Sequence, residues 1–376
     1  MEEENARWTN SRKLTVEVKQ IGSRPAGTQS PELPLIKLAA SADKFLNIKS
    51  EFTASSTDSN VPINLGIPAI TIDGGGKGGG EHSLDEQFDS TDSHIGSQRA
   101  LLIVLGVVGV AENKNLTSFN FKSSQNPDVK VFYSAPPNIS SKTKVLFVMS
   151  GRQRDADKYL ESWIDWGQKN DYLVLAPLFD STNWVEPLGY NFGNIASGKE
   201  ANNTANPKSK WAFTLIEQMF DFAKKEFKLN AQKYDLFGHS AGGQFVHRFT
   251  LFMPNNRTRT AIAANPGFYT LPDLNGVFPY GLKNSPHPIT KKDLMKWTTR
   301  KLILMRGTAD LLRTENLRQS PEADAQGQNR FERALFMFNK VKSFNPKTTW
   351  QMFEVPGVAH DQKGMALAAQ KVLENN

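Results

Sequence analysis

The segment Gly238-His239-Ser240-Ala241-Gly242-Gly243 sets a serine among small residues, directly after the apolar run Tyr234 to Phe237 and directly before a helical pattern, Gly242 to Phe252. Between strand and helix, a G-x-S-x-G segment makes a sharp turn that exposes the serine Oγ above the sheet, at the positive end of the following helix. A serine hydroxyl is a poor nucleophile until a base takes its proton, and the base in turn needs a carboxylate to orient it. Of six histidines, only His287 and His360 lie beyond the elbow helix, and the chain order of such sites is serine, carboxylate, histidine. His287, between Pro286 and Pro288, reads as part of a rigid surface segment. His360 follows a predicted strand, Thr348 to Phe353, on a loop before the last predicted helix, and is the expected base. His239 and His247 flank this serine turn and read as packing residues or as supports of the residues that react.

The expected carboxylate is Asp310, on the loop after the predicted strand Leu302 to Met305. Glu315, Glu322 and Asp324 lie farther along a polar stretch and read as solvated surface. Negative charge developing on a substrate oxygen needs two backbone N–H groups, one of them normally from the residue after the nucleophile. Ala241 supplies that one. The amide of Arg152, after Gly151 at the end of the predicted strand Val145 to Met149, is the candidate for the other. Trp184, Phe268 and Tyr269 each stand just beyond a predicted strand and are candidates to line an acyl or aryl pocket.

These residues need a scaffold, and the hydropathy pattern supplies one. Strands are predicted at Val129 to Tyr133, Val145 to Met149, Tyr172 to Ala176, Tyr234 to Phe237, Thr260 to Ala264, Leu302 to Met305 and Thr348 to Phe353. Helices are predicted between or after them at Ala156 to Gly167, Ala212 to Lys228, Gly242 to Phe252, Arg330 to Lys342 and Gln362 to Leu373. The alternation predicts an α/β class fold, with a mostly parallel sheet covered by helices on both faces. In such sheets the chemistry sits at the carboxyl ends of the strands.

The first third of the chain reads differently. A strand is predicted at Lys13 to Lys19, a helix near Leu35 to Phe45, a buried strand at Ala69 to Ile72 and a buried helix at Ala100 to Val110. The tract Asp73 to Gly80 holds six glycines and belongs in a loop. It lacks both the Lys-Ser/Thr ending of a P-loop and the G-x-G-x-x-G placement of a dinucleotide site. Residues 1–112 form one predicted unit, 113–124 a polar linker and 125–376 the second unit.

Charge changes sign across that boundary. Residues 1–112 hold 10 Lys and Arg against 15 Asp and Glu, whereas the remainder holds 35 against 23. The basic residues are scattered rather than clustered in a run, which argues against nucleic acid as a partner. With no cysteine, the chain can form neither a disulfide scaffold, a thiol nucleophile, a cysteine-ligated zinc site nor an iron–sulfur cluster. Its acidic start lacks the pattern of a signal peptide, its most apolar run is too short to span a bilayer, and a soluble protein is expected.

The segment Gly238 to Gly243, the loop Ser150 to Arg154, Asp310 and His360 together resemble the α/β-hydrolase superfamily, closest to esterases of the polyhydroxybutyrate-depolymerase and feruloyl-esterase type, over residues 125–376. The resemblance implies a serine esterase with the triad Ser240, His360 and Asp310 and no cofactor. Those enzymes usually carry His-Gly at the oxyanion loop, where this chain has Ser150-Gly151. Ser56 to Pro62, Leu65 to Ala69 and Gly74 to Gly80 followed by Glu81-His82-Ser83 resemble the carboxyl-terminal portion of zinc-dependent aminoacylase and dipeptidase-type metallopeptidases, over residues 8–111. There the resemblance puts a metal ligand at His82. The family's other ligands lie in an amino-terminal half that precedes this portion, so the unit reads as a peptidase remnant, inactive alone.

The expected activity is cleavage of small-molecule or polymeric carboxylic esters, aryl or feruloyl esters and polyesters among them, through an acyl-enzyme. A serine peptidase of the same fold and a non-catalytic fused binding protein are the alternatives, with a metallopeptidase as the last.

Overall fold

In the computed structural model, which describes residues 2–7, 15–108, 116–200 and 202–375, the chain divides into two compact units, Met1–Lys114 and Asn115–Asn376.

The second unit is built on one eight-stranded sheet. Its strands are β1 (Thr117–Phe121), β2 (Val129–Ser134), β3 (Lys144–Met149), β4 (Tyr172–Leu178), β5 (Tyr234–His239), β6 (Thr258–Ala264), β7 (Leu302–Gly307) and β8 (Gln351–Val355). They lie in the order β1-β2-β4-β3-β5-β6-β7-β8. Every pair from β4 to β8 is parallel, while β2 runs antiparallel to both β1 and β4. The helices of six residues or more are α1 (Ala156–Glu161), α2 (Ile164–Lys169), α3 (Ala212–Glu226), α4 (Ala241–Phe252), α5 (Lys291–Thr298), α6 (Arg330–Phe344) and α7 (Gln362–Glu374).

Because successive strand side chains point to opposite faces, a strand covered on both sides must be apolar throughout. In β3, Val145, Phe147 and Met149 belong to one core cluster that also takes residues from α3, α4, α5 and α6. Leu146 and Val148 pack with α1, α2 and α7 on the other face. Helix α4, behind the elbow, has every residue buried.

Four sequence expectations change here. Residues 113–124 are not all linker: Thr117–Phe121 is an edge strand, its Phe121 buried against Phe222 at 5.7 Å and Phe119 tilted against the same ring at 4.8 Å. Alternating Phe119 and Phe121 carry that strand signal within a polar stretch. The single helix predicted over Ala156 to Gly167 is two, α1 and α2, which break at Ser162-Trp163. Helix α5 was not predicted, although Thr290 and Asp293 form a reciprocal capping box at its start. The last strand starts at Gln351, three residues after the predicted Thr348, whose hydroxyl instead bonds the Thr298 carbonyl at 2.6 Å.

The first unit contains helices at Glu2–Arg7, Pro34–Phe45, Asn60–Asn64 and Ser93–Val108, and two three-residue antiparallel strands, Lys77–Gly79 and Gln87–Asp89. Its core is Ala39, Ala42 and Ile103, with Leu35, Ile70, Ile72 and Leu102 packed against them. Asp43, also buried, is held by Arg99 and by the Ser50 hydroxyl. Residues 15–19 of the strand predicted at Lys13 to Lys19 are irregular and exposed, while Lys13 and Leu14 lie outside the described residues. Ala69 to Ile72 is also irregular: among the described residues no strand pairs with it, and its isoleucines reach the core as half-buried contacts. The apolar helix is exposed rather than buried at Leu101, Val104, Val107 and Val108. Only Gly96 and Ile103 of it are buried, because the helix Pro34–Phe45 packs on one side of a segment that is apolar all round. Gly109 and Val110 of the predicted helix lie outside the described residues.

Candidate active site

Ser240 sits between β5 and α4 with φ 58° and ψ −115°, a backbone conformation that costs energy in any residue with a Cβ and persists where the surroundings impose it. Two glycines make the turn sterically feasible. A Cβ on Gly238 would lie 2.3 Å from the Gly242 carbonyl oxygen, and one on Gly242 would lie 2.2 Å from the Met149 carbonyl oxygen. The Ser240 amide is held by the Ala264 carbonyl at 2.9 Å.

His360 lies between β8 and α7, with its Nε2 3.0 Å from Ser240 Oγ and its Nδ1 2.8 Å from Asp310 Oδ2. A carboxylate only accepts, so Nδ1–H donates to Asp310 and Nε2 is left to accept the serine proton. Asp310 is buried, on the loop after β7. Its other oxygen faces the guanidinium of Arg330 at 3.5 Å.

Asn265, at the end of β6, joins the two loops that carry Asp310 and His360. Its Oδ1 accepts from the Gly307 amide at 2.9 Å and its Nδ2 donates to the Ala359 carbonyl at 3.2 Å. The loops also bond directly, Ala309 N–H to the Val358 carbonyl at 3.0 Å. Asp361 caps α7 by accepting from the Gly364 amide at 2.6 Å, fixing the residue after the base.

The loop Ser150 to Arg154 runs beside the nucleophile: a Cβ on Gly151 would lie 3.8 Å from that of Ser240. Ala241 is the first residue of α4, so its N–H belongs to the first helical turn, whose amides have no intrahelical acceptor. The Arg152 side chain is mostly exposed, reaching Glu186 Oε2 at 3.2 Å and Asn316 Oδ1 at 2.9 Å. Three residues that sequence reasoning did not weigh hold this loop. Tyr190 donates its hydroxyl to the Ser150 carbonyl at 2.7 Å, its phenol pushed up to about 12 by burial. Arg154, buried at φ 59°, donates to the carbonyls of Phe179 and Trp184 and to Glu186, and stacks on the Tyr190 ring at 3.8 Å. Tyr159 bonds His239 Nδ1 at 3.0 Å and takes a backbone hydrogen bond from Gly151; burial raises its phenol, which stays neutral. An Arg and two Tyr thus occupy the anchoring role around Ser150-Gly151, and no short-range sequence pattern marks them.

The two remaining elbow histidines are structural. Burial drives both well below the ordinary imidazole value. His247 spans the Gly243 carbonyl at 3.1 Å and the Thr270 amide at 3.2 Å, whereas His239 lies against the His360 ring at 4.6 Å. His287 bonds the Ile195 carbonyl and packs on Trp211. Glu315 and Glu322 are exposed, and Asp324 is engaged by Arg313 and Arg333.

The expected pocket aromatics are a correction. Trp184, Phe268 and Tyr269 are at most 2% exposed and belong to the core under α4. Phe268 is sandwiched between Arg248 and Arg318, each 4.7 Å from its ring, and Tyr269 packs on His247 at 5.2 Å. Position just past a strand fixes where a residue emerges, and here the side chains turn inward. His82, in the first unit, is exposed on the turn after the glycine tract. No group of three or more His, Asp or Glu among the described residues could hold a metal.

Poly(aspartic acid) hydrolase-1 from Sphingomonas sp. KT-1 is 37% identical to this chain, with a TM-score of 0.65, over 69% of this chain and 98% of the other. The chain belongs to its family. LpqC, a poly(3-hydroxybutyrate) depolymerase from Bordetella parapertussis, is similar at 25% identity and a TM-score of 0.64, covering 69% of this chain and 90% of its own. The fold of this hydrolase is therefore that of the α/β-hydrolases, and the two relatives are by name a hydrolase and a depolymerase. No family model matches the chain, and no curated protein matches it. The metallopeptidase resemblance of residues 8–111 finds no support in these likenesses. Among the described residues, no helix is long and apolar enough to cross a membrane.

Proposed function

We propose that the second unit hydrolyses carboxylic esters through an acyl-enzyme formed on Ser240. The observation that carries this reading is the unbroken path from Ser240 Oγ through His360 to Asp310, at 3.0 and 2.8 Å. His360 takes the serine proton as Oγ attacks the carbonyl carbon, then delivers it to the departing alkoxide. Water attacks the acyl-enzyme in the second half, with His360 again as base and Asp310 holding the ring and offsetting its transient charge. The Ala241 and Arg152 amides receive the oxyanion in both halves. Mass-spectrometric mapping of a fluorophosphonate adduct, together with p-nitrophenyl acetate turnover, tests the assignment. Labelling at Ser240 is expected, and full turnover in Ser240→Ala would sink it.

A second reading, cleavage of amide bonds in an anionic polymer, is favoured by the 37% identity to a poly(aspartic acid) hydrolase, since poly(aspartic acid) is a polyamide bearing free carboxylates. The Arg152 guanidinium, exposed and paired with Glu186, lies on the loop beside the nucleophile. Selection of aryl or feruloyl groups loses its basis with the burial of Trp184, Phe268 and Tyr269. Rates on poly(aspartic acid), poly(3-hydroxybutyrate) and p-nitrophenyl acetate separate the two readings. Turnover of the esters with none of the polyamide would eliminate the second.

A further inference from the structure

We propose that Arg330 is a positioning residue for the catalytic base, which holds Asp310 in place and extends the activity into acid. This rests on the reading of Ser240, His360 and Asp310 as the reacting set. Arg330 opens α6, behind the cap Asn329, whose side chain accepts from the Glu332 amide. Its side chain is 2% exposed and that of Asp310 1%. Arg330 Nη1 faces Asp310 Oδ1 at 3.5 Å while His360 Nδ1 occupies Oδ2 at 2.8 Å, so one carboxylate is shared between a permanent cation and the base. Arg330 Nε has no partner of its own. Burial draws the guanidinium below its ordinary value and Asp310 opposes that; a guanidinium stays charged throughout the working range.

The consequence is electrostatic. A lone carboxylate beside an imidazole invites a proton onto the ring, because the resulting pair is neutral. With Arg330 already neutralising Asp310, protonating His360 creates a net positive charge in a partly buried set and is disfavoured. Other groups around it do not replace this effect. From the end of β5, His239 presses its ring on His360 and is kept neutral by burial. Tyr269, after β6, is a phenol kept neutral by burial, with Arg306 and Asp310 as smaller influences. Arg306 on β7 is engaged by Glu354, Arg333 on α6 by Asp324, and Asp361 by the cap of α7.

The test is the pH dependence of kcat/KM for p-nitrophenyl acetate in the full chain, with wild type, Arg330→Gln, Arg330→Met and Arg330→Lys. Either neutral variant suffices should the other fail to fold. The acidic limb is expected to move up by about one pH unit in the neutral variants and to stay in place in Arg330→Lys, whatever the fall in kcat. An unmoved limb in the neutral variants, or an equal shift in Arg330→Lys, overturns the inference. Fluorophosphonate labelling of wild type at Ser240 separates that result from failure of the underlying reading. If the probe does not label Ser240, the reading falls and the inference with it.

Discussion

The two units of this chain contain similar kinds of residue and use them differently. In the second, each central strand is apolar on both faces and each face is closed by helices, so the sheet's carboxyl edge becomes a rigid platform. In the first, four buried apolar residues among those described, Ile36, Ala39, Ala42 and Ile103, support two short strands and a helix with four exposed valines and leucines. A strained serine, a buried carboxylate and a base on a loop can be held in register only where the surroundings are over-determined. The difference teaches that site geometry here depends on the depth of the layers beneath it more than on the residue types at the surface.

The sharpest way to break this comparison is to ask where the chemistry resides. Ser240→Ala is expected to lower kcat/KM for p-nitrophenyl acetate by about 10⁴-fold or more, whereas His82→Ala leaves it unchanged; an equal loss in both would overturn the division.

Acid should then separate the units. His239 and His247 are held neutral by burial, so the unfolded chain binds protons that the folded one does not. Their contribution to stability is complete above about pH 6.5 and is lost as pH falls below it, at up to about 1.4 kcal/mol per pH unit for each. Chemical denaturation at pH 5, 6 and 7 should show the decline in the second unit, and His247→Gln should reduce its slope.

Core truncation gives a smaller contrast. Phe147→Ala, in a sheet interior that cannot collapse, should cost about 3–5 kcal/mol, against roughly 2 for Ile103→Ala in the shallower core. Urea midpoints with tryptophan fluorescence for the second unit and hydrogen exchange for the first measure these; a larger cost at Ile103 would contradict the comparison. The smallest effect expected is that of removing residues 1–115, which should change kcat/KM by less than about twofold if site geometry depends only on the layers of the second unit.

Much of the second unit was legible because parallel strands buried on both faces read as continuous apolar runs. Ser240 was marked by its glycines, and His360 and Asp310 by the loops that follow strands. What escaped was long-range. Nothing near Arg330 signals Asp310, nothing near Arg154 signals a reversed φ and a stack on Tyr190, and the direction of Trp184, Phe268 and Tyr269 depends on packing that no local pattern encodes. In the first unit the reading of Ala69 to Ile72 as a strand failed because pairing needs a partner, which residue type alone does not reveal. The buried helix failed because an apolar sequence states what could be covered, not what is.

The edge strand Thr117–Phe121 bears on how the chain can be recombined. It begins within three residues of the unit boundary, so the segment between the units doubles as the selvage of the sheet. A graft made at Gln125 would cut away Phe119 and Phe121 and leave the Phe222 face of α3 bare, whereas one made ahead of Leu116 keeps both rings in place.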